Sequence, residues 1–412
     1  MRISLLLLLL AAFAAATPAL GQVLTLDEAR RQALDGQPAL RAQELNASAA
    51  DESSVADGAL PDPRLKVGAL NFPTRGFPGA RDDMTQVGVS WEQMIPGGDK
   101  RRLRSERTRA EAEQTRAEAL AARQAILRDV GTAWVDAWLA AASARLVGET
   151  AKESERAIEL ARIALSSGKG SLADVLAARQ LLNQSADRRL EIAAQLERAR
   201  AGLARWVPGT AARELPETLP EFRSPAPVAA ARQALESHPQ QRTLARMQSV
   251  ADADTALARE ASTPDRSVEV GYFARSGGRS DMLMFQMAFE LPFYADKKQN
   301  RLLEAKLRLA ERVREQRADQ LRQLRAELEA AYAEWRIAGE RLRNVSEAVL
   351  PDARARLDAL VGAHGSGTVP LAQVFDARRQ LIDARMQELA MRAMQAKARV
   401  ALQYFEIERA QP

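Results

Sequence analysis

Four short segments of the chain alternate apolar and polar residues with a period of two, which marks each as a β-strand with one apolar face. The cleanest is Met84–Glu92, where Val87, Val89 and Trp91 share one face and Gln86, Gly88, Ser90 and Glu92 the other. Arg64–Asn71 is a second. Ser267–Phe273 sets Val268, Val270 and Tyr272 on one face, and Met282–Leu291 opposes Phe285, Met287 and Phe289 to Gln286 and Glu290. Breakers bound them: Pro61-Asp62-Pro63 before the first, a Pro/Gly-rich loop over Phe72–Ala80, and Met94-Ile95-Pro96-Gly97-Gly98 after the second. At about eight to ten residues, each suits a membrane strand; a small soluble sheet covering a helical layer is the other structure this pattern fits.

The rest of the chain reads as helix. Leu24–Ala50 is helical, with Thr25 as N-cap and Asp27 and Glu28 in the first turn. Asp99–Trp206 lacks proline and is rich in Ala, Leu, Arg, Glu and Gln, all strong helix formers. Leu120, Leu127, Trp134 and Ala141 recur every seven residues as a coiled-coil-like seam. An interruption falls at Ser166–Gly170. A turn is also expected near Ala144–Glu149, because an unbroken helix here exceeds the usual globular length. After a Pro-containing connector, Pro208–Pro227, helix is predicted over Val228–Leu257 and again from about Asp296. Leu321, Leu324, Leu328, Ala331, Trp335, Ala338 and Leu342 alternate by three and four as a strict seam. Pro351 lies in the returning helix, Gly362–Gly367 breaks it, and Pro370–Ile407 closes the chain as helix.

The two halves repeat one another at an offset of about 200 residues. Arg31-Gln32-Ala33-Leu34 with Pro38 returns as Arg232-Gln233-Ala234-Leu235 with Pro239. Val67-Gly68 returns as Val270-Gly271, and Asp83-Met84 with Glu92 as Asp281-Met282 with Glu290. Gly168, Leu172, Val175 and Ala178-Arg179 return as Gly367, Leu371, Val374 and Ala377-Arg378. So long a period is a duplicated half, not a solenoid repeat. The expected organisation is a first repeat over 22–207 (helix, β-hairpin 64–92, long helical hairpin 99–206), a linker over 208–227 and a second repeat over 228–407 (helix, β-hairpin 267–291, long helical hairpin 296–407). Residues 408–412 form a tail.

Residues 1–21 read as a cleaved signal peptide: Arg2, an apolar run Ile3–Ala16, then small residues before Gln22. No other stretch approaches a membrane-spanning helix, so entry into a membrane would have to be by strands. Four strands cannot close a barrel, because open edges are not tolerated in lipid; two copies would give eight and three would give twelve, with room for a pore. Both hairpins run into long helices, which places the helices on one side and the loops Phe72–Asp83 and Arg275–Ser280 on the other. A helix from Asp99 to about Ser143 would span ~67 Å, the scale of a periplasmic tube.

Charge and composition narrow the chemistry. There are 59 basic and 54 acidic residues, interspersed as on solvated helix faces, and aromatics make up 5%. Neither feature suits a nucleic-acid partner. No cysteine is present, which excludes disulfides, thiol catalysis and a zinc–thiolate site. His238 occupies the position of Gln37 in the other half and reads as a polar turn residue; His364 lies in a Gly/Ser break. Neither belongs to a catalytic motif, and the ten methionines are scattered, so no enzyme, cofactor or metal site is assigned.

The sequence resembles the TolC family of outer-membrane efflux proteins along essentially all of the mature chain. The resemblance is carried by Ala33-Leu34…Gln37-Pro38 and Ala234-Leu235…His238-Pro239, and by the strand ends Trp91–Pro96 and Phe289–Pro292. It is carried also by Gly168…Ser171–Arg179 and Gly367…Pro370–Arg378. The stretch from Val349-Leu350-Pro351-Asp352-Ala353 to Ala384-Arg385 looks most like the heavy-metal-efflux, CzcC- and CusC-like branch. The resemblance implies a mainly α fold with a small membrane β part: a homotrimeric 12-strand barrel in the outer membrane, continuing into a periplasmic α-helical barrel. It implies a passive duct serving a periplasmic adaptor and an inner-membrane pump of the RND type. Arg145-Leu146 and Arg341-Leu342 fall where the family places its Arg-Leu tip motif, though Val147 and Arg343 replace the usual small third residue. The breaks at Gly168 and Gly367 would form the equatorial belt.

In such a trimer an axial carboxylate becomes a ring of three, and Glu347 and Asp352 are candidates for a pore constriction; solvated helix charge is the plainer account. Trp91, Tyr272, Phe285 and Phe289 are expected to face lipid or its interface. Heavy-metal cations are the expected cargo, with drug efflux and type I protein secretion as alternatives. An exported coiled-coil structural or adhesion protein is the reading from another class.

Overall fold

A computed structural model describes residues 23–75, 83–168, 170–209, 213–275 and 278–406. The expected signal peptide and tail, and part of both strand-connecting loops, lie outside them. The chain is mainly helical with one small sheet. In order, the elements are α1 (Leu26–Asp35), α2 (Pro38–Gly58), β1 (Arg64–Leu70), β2 (Gln86–Ile95), α3 (Lys100–Ser166), α4 (Leu172–Ala204), α5 (Val228–Ala234) and α6 (Pro239–Glu260). Then come β3 (Arg266–Arg275), β4 (Met282–Phe289), α7 (Gln299–Asn344), α8 (Leu350–Gly365) and α9 (Leu371–Phe405).

All four predicted strands form, but as one antiparallel sheet in the order β1-β2-β3-β4 and not as two separate hairpins. The β2–β3 pairing joins the two halves of the sequence over ten residue pairs, from Gln86 opposite Arg275 to Ile95 opposite Arg266. The predicted helix over Leu24–Ala50 is two helices. Thr25 Oγ1 accepts from Glu28 N (3.3 Å) to cap α1, and Pro38, which has no N–H to continue the ladder, opens α2. The corresponding helix of the second half divides likewise: a single 3₁₀ turn (Leu235–Ser237) follows α5, and Pro239 opens α6. His238 is fully buried there, its Nδ1 capping α6 by accepting from Gln240 N (3.3 Å).

The largest departure from the sequence expectation is α3, which runs unbroken for 67 residues through Ala144–Glu149. No proline and no capping residue occurs in that stretch, and Gly148 alone costs a helix interior only ~1 kcal/mol. Arg145 and Leu146 are therefore mid-helix residues, the first exposed and the second 9% exposed. Arg341 and Leu342 also sit inside a helix, α7. Pro351 belongs to the outgoing stretch and not to the returning one. Its missing N–H and the clash of its ring with the preceding turn widen Val345–Val349 into one π turn, with Leu350 N donating to Val345 O.

The fold divides into two compact units. One comprises Met1–Gln37, Ala125–Ala231 and Glu327–Pro412; the other comprises Pro38–Gln124 and Arg232–Ala326. In the first, Trp134 is fully buried and its indole N–H donates to Leu24 O (3.0 Å). Gly131 lies against Val400: an added Cβ would come within 2.7 Å of its Cγ1. Arg128 covers the Tyr404 ring at 4.7 Å. The connector folds back onto α1, where Arg213 makes a bidentate pair with Glu28 (2.7 and 2.8 Å). The predicted seam of α7 is buried at Leu324, Leu328, Ala331 and Ala338. That of α3 is fully buried only at Trp134: Leu120 is 54% exposed and Leu127 and Ala141 are half-buried, while Ile126, Val130 and Trp138 join Trp134 in a buried row spaced by four.

In the second unit the turn after β2 locks onto the turn before β3. Gly97 N donates to Asp265 Oδ1 (2.8 Å), and Lys100 Nζ donates to Thr263 O (2.6 Å) and to the same carboxylate (2.7 Å). A Cβ on Gly97 would stand 2.0 Å from Pro264 O, so only glycine permits this approach. Farther along, Asp254 of α6 accepts from Arg107 of α3 (2.6 Å) and Lys306 of α7 (2.6 Å). Partial burial pushes the Asp254 carboxyl up, but the Lys306 and Arg107 hydrogen bonds and charges outweigh it and hold the group below the usual carboxylate range. A carboxylate depressed in the folded state stabilises it above the unfolded pKa, and that stability is lost as pH falls through the folded value. Asp254→Asn is therefore expected to lower the Tm at pH 7. The deficit relative to the native chain should shrink as pH drops below about 4, as thermal melts across that range would show.

Candidate functional site: the two-faced sheet and the helix reversals

The register of the sheet sorts its side chains onto two chemically opposite faces. On one, Leu65, Trp91, Val270 and Phe285 lie in a row across the four strands, and Val67, Val89, Tyr272 and Leu283 form the next row. These residues are exposed: Trp91 44%, Tyr272 48%, Phe285 75% and Phe289 56%. An apolar surface this continuous on a folded sheet marks a face that meets another apolar phase. The Tyr272 hydroxyl, near the loop end, donates to Asp281, so this side chain joins an apolar ring on the exposed face to a polar tip.

The opposite face is polar. Lys66 of β1 pairs with Glu92 of β2 (3.0 Å) and Glu269 of β3 (2.8 Å), and Ser90 Oγ donates to Glu269 (2.5 Å). One cluster thus staples three strands and crosses the junction between the sequence halves. Beside it Phe273, 7% exposed, lies over two glycines: Cβ atoms on Gly88 and Gly271 would stand 2.4 and 2.7 Å from its ring. The alternation in the sequence disclosed both faces; what it did not disclose was Phe273 packed on the polar face. The outer edges of β1 and β4 have no partner strand among the described residues.

Among the described residues the helices reverse at two places, both at the glycines that the family resemblance implied for an equatorial belt. After α3, Gly168 takes φ +70° and Gly170 N donates back to Ala164 O (2.9 Å). Ser171 then starts α4 with a capping box shared with Asp174. After α8, Gly367 takes φ +78° and Thr368 N donates to Ala363 O (3.0 Å) before Pro370 leads into α9. His364 Nδ1 lies 3.0 Å from Val369 O in the same turn. A reversal needs a left-handed residue to end one helix and a cap to begin the next. These two stretches supply both, and Arg145-Leu146 and Arg341-Leu342 supply neither.

The two reversals meet. Ala157, Ile158, Ala161, Val175, Ala178, Leu181 and Phe375 bury one another in a cluster that draws on α3, α4 and α9, with Leu371 packed against it. The Asp174 carboxyl is held below its usual range by the Ser171 hydroxyl, partly opposed by burial, and then by backbone N–H groups of Ser171 and Leu371. Asp174 thus caps the first turn, and the apolar cluster packs that turn against α9. Sequence reasoning noted the repeat of Gly168 and Gly367 but passed over Asp174, whose signal was the Ser-x-x-Asp spacing after the glycine. Glu347 lies in the π turn and Asp352 in the first turn of α8, both exposed. Asp352 is 13 residues short of the end of α8, roughly 20 Å along the helix from the second reversal. Neither acid is therefore at a turn.

Among the described residues no group of three or more His, Asp or Glu is placed to hold a metal ion, and no helix is long and apolar enough to cross a membrane. The family model for outer membrane efflux proteins matches residues 29–207. The fold is similar to that of CusC at a TM-score of 0.78 and 16% identity, over 94% of this chain and 93% of the other. It is similar to the outer membrane protein VceC of Vibrio cholerae at a TM-score of 0.77 and 16% identity, over 92% and 95%. Against the CmeC outer membrane channel of Campylobacter jejuni the TM-score is 0.79 at 12% identity, over 92% and 85%. No protein of curated function matches the sequence significantly.

Gly168 and Gly367 have open space where a Cβ would go, so alanine there meets only the backbone penalty of the left-handed region. Gly168→Ala and Gly367→Ala are each expected to cost about 1 kcal/mol. Chemical denaturation of the purified protein measures that loss.

Proposed function

We propose that this chain is a member of the TolC family of outer membrane efflux proteins, whose family model matches residues 29–207, and that it is the passive outer-membrane duct of a multi-component export pump. The observation that carries the reading is the four-stranded sheet with one exposed apolar face, one polar face and two unpaired edges. Lipid tolerates such a sheet only when the edges close on other strands. Three copies supply twelve strands with the polar face turned to a water-filled lumen, and a homotrimer is the assembly we assign. The long helices would then surround the periplasmic part of the conduit. Energy would come from an inner-membrane pump, of the RND type on the sequence resemblance, through a periplasmic adaptor.

The adaptor contact follows the reversals. A helical hairpin presents its turn at its end, so the segments around Gly168 and Gly367 are the ends offered to a partner, in place of the Arg-Leu pairs. Glu347 and Asp352 remain candidates for a ring of carboxylates inside the conduit; their exposure supports that reading. Heavy-metal cations are the proposed cargo, supported by the resemblance of the Val349–Arg385 stretch to the metal-efflux branch.

Fractionation tests the duct itself: the protein should enter the outer membrane as a heat-modifiable oligomer and form ion-conducting pores in planar bilayers. A water-soluble monomer would sink the proposal. In those bilayers Asp352→Ala should weaken cation preference, and an unchanged preference removes that residue from the pore. Substitution of the Ser166–Gly170 or Gly365–Val369 turns should weaken adaptor binding more than Arg145→Glu or Arg341→Glu, as pull-down measures. Sensitivity of a deletion strain to metal salts, against drugs, decides the cargo.

A further inference from the structure

In the unit that holds the helix reversals, the connector between the sequence halves crosses α7 and α9 as a strap. Beneath it lies a cavity of about 370 Å³, within the size range of small-molecule sites. Its lining combines three guanidinium groups, Arg223 of the strap and Arg392 and Arg399 of α9, with the apolar surfaces of Phe222, Trp335 and Leu342. The polar membership is built, not incidental. Arg399 is 5% exposed; its Nε donates to Arg223 O (2.5 Å) and one Nη to Glu406 (2.9 Å), which holds the strap in place. Its other terminal nitrogen, Nη1, is buried and has no hydrogen-bond partner among the described residues.

A buried guanidinium nitrogen without an acceptor costs stability, and native structures tolerate such a group where a water, an ion or a ligand meets it. Glu406 is committed to Arg399, and Glu388 pairs with Arg392 (2.8 Å). Arg223 has no ion pair among the described residues. Arginine forks match the geometry of carboxylate and phosphate oxygens, and the Trp335 ring offers a flat apolar surface beside them.

We propose that this cavity binds a small organic anion, with an oxyanion head at Arg223, Arg392 and Arg399 and an apolar body against Trp335. The ligand bridges the strap to α7 and α9, and its binding is separate from passage of cargo through the duct.

Phenyl phosphate is a suitable probe, titrated by calorimetry into the detergent-solubilised full chain, with inorganic phosphate for comparison. Saturable binding of phenyl phosphate is expected, with inorganic phosphate weaker. Arg223→Ala and Arg392→Ala, both exposed side chains whose removal should spare the fold, should each weaken it roughly tenfold. Trp335→Phe should reduce the accompanying change in tryptophan fluorescence while binding persists. Circular dichroism confirms that each variant is folded. The proposal is overturned by absence of saturable binding, by undiminished affinity in the Arg223→Ala/Arg392→Ala double variant, or by inorganic phosphate binding as tightly as phenyl phosphate. Arg399 is left in place because it secures the strap.

Discussion

Backbone hydrogen bonding at the sheet governs what the rest of this chain has to do. Every amide in a strand needs a partner where water is absent, and β1 and β4 each leave one edge unpaired. The β2–β3 ladder satisfies the interior by joining segments from the two halves of the sequence, so neither half can complete its sheet alone. The side chains accept the consequence: Leu65, Trp91, Val270 and Phe285 turn one face apolar, while Lys66, Glu92 and Glu269 knit the other across the same junction.

Glycine decides where the chain can approach itself or turn. Gly97 lets the exit of β2 touch the entrance of β3, where Asp265 and Lys100 complete the contact. Gly88 and Gly271 make room for the Phe273 ring on the polar face of the sheet. Gly168 and Gly367 do different work: they meet no crowding and supply a left-handed residue to end a helix. Among the described residues these two turn the helices back, and the apolar cluster of α3, α4 and α9 shows the turns held together and not merely repeated.

Much of the architecture was legible because it rests on local periodicity. The four strands follow from alternation and came within a few residues of their observed bounds, and the cap at Thr25 marks the start of α1 by its own chemistry. Pro38 and Pro239 also open helices, but an apolar pattern that continues across them hid both breaks. The misplacement of the helix turns has a definite cause. Length was taken to limit α3, yet helix formation has no length limit of its own when a face stays buried along its course, and Ala144–Glu149 carries no residue that would stop it. The Arg-Leu pairs looked like turns by position; Gly168 and Gly367 are turns by conformation. The orphaned Arg399 nitrogen and the cavity around it had no local signature, because Arg223, Trp335 and Arg392 come from three separated segments.

The amino-acid sequence alone determined the duplicated plan, the alternation that gives each strand one apolar face, and the glycines whose missing side chains make the turns possible. These are properties of neighbours along the chain. Only the tertiary structure decided that two hairpins share one sheet, that Lys66 reaches carboxylates from both halves, and that the strap encloses a cavity under Arg399. Those outcomes depend on which distant groups come within hydrogen-bond distance, and periodicity carries no information about such pairings.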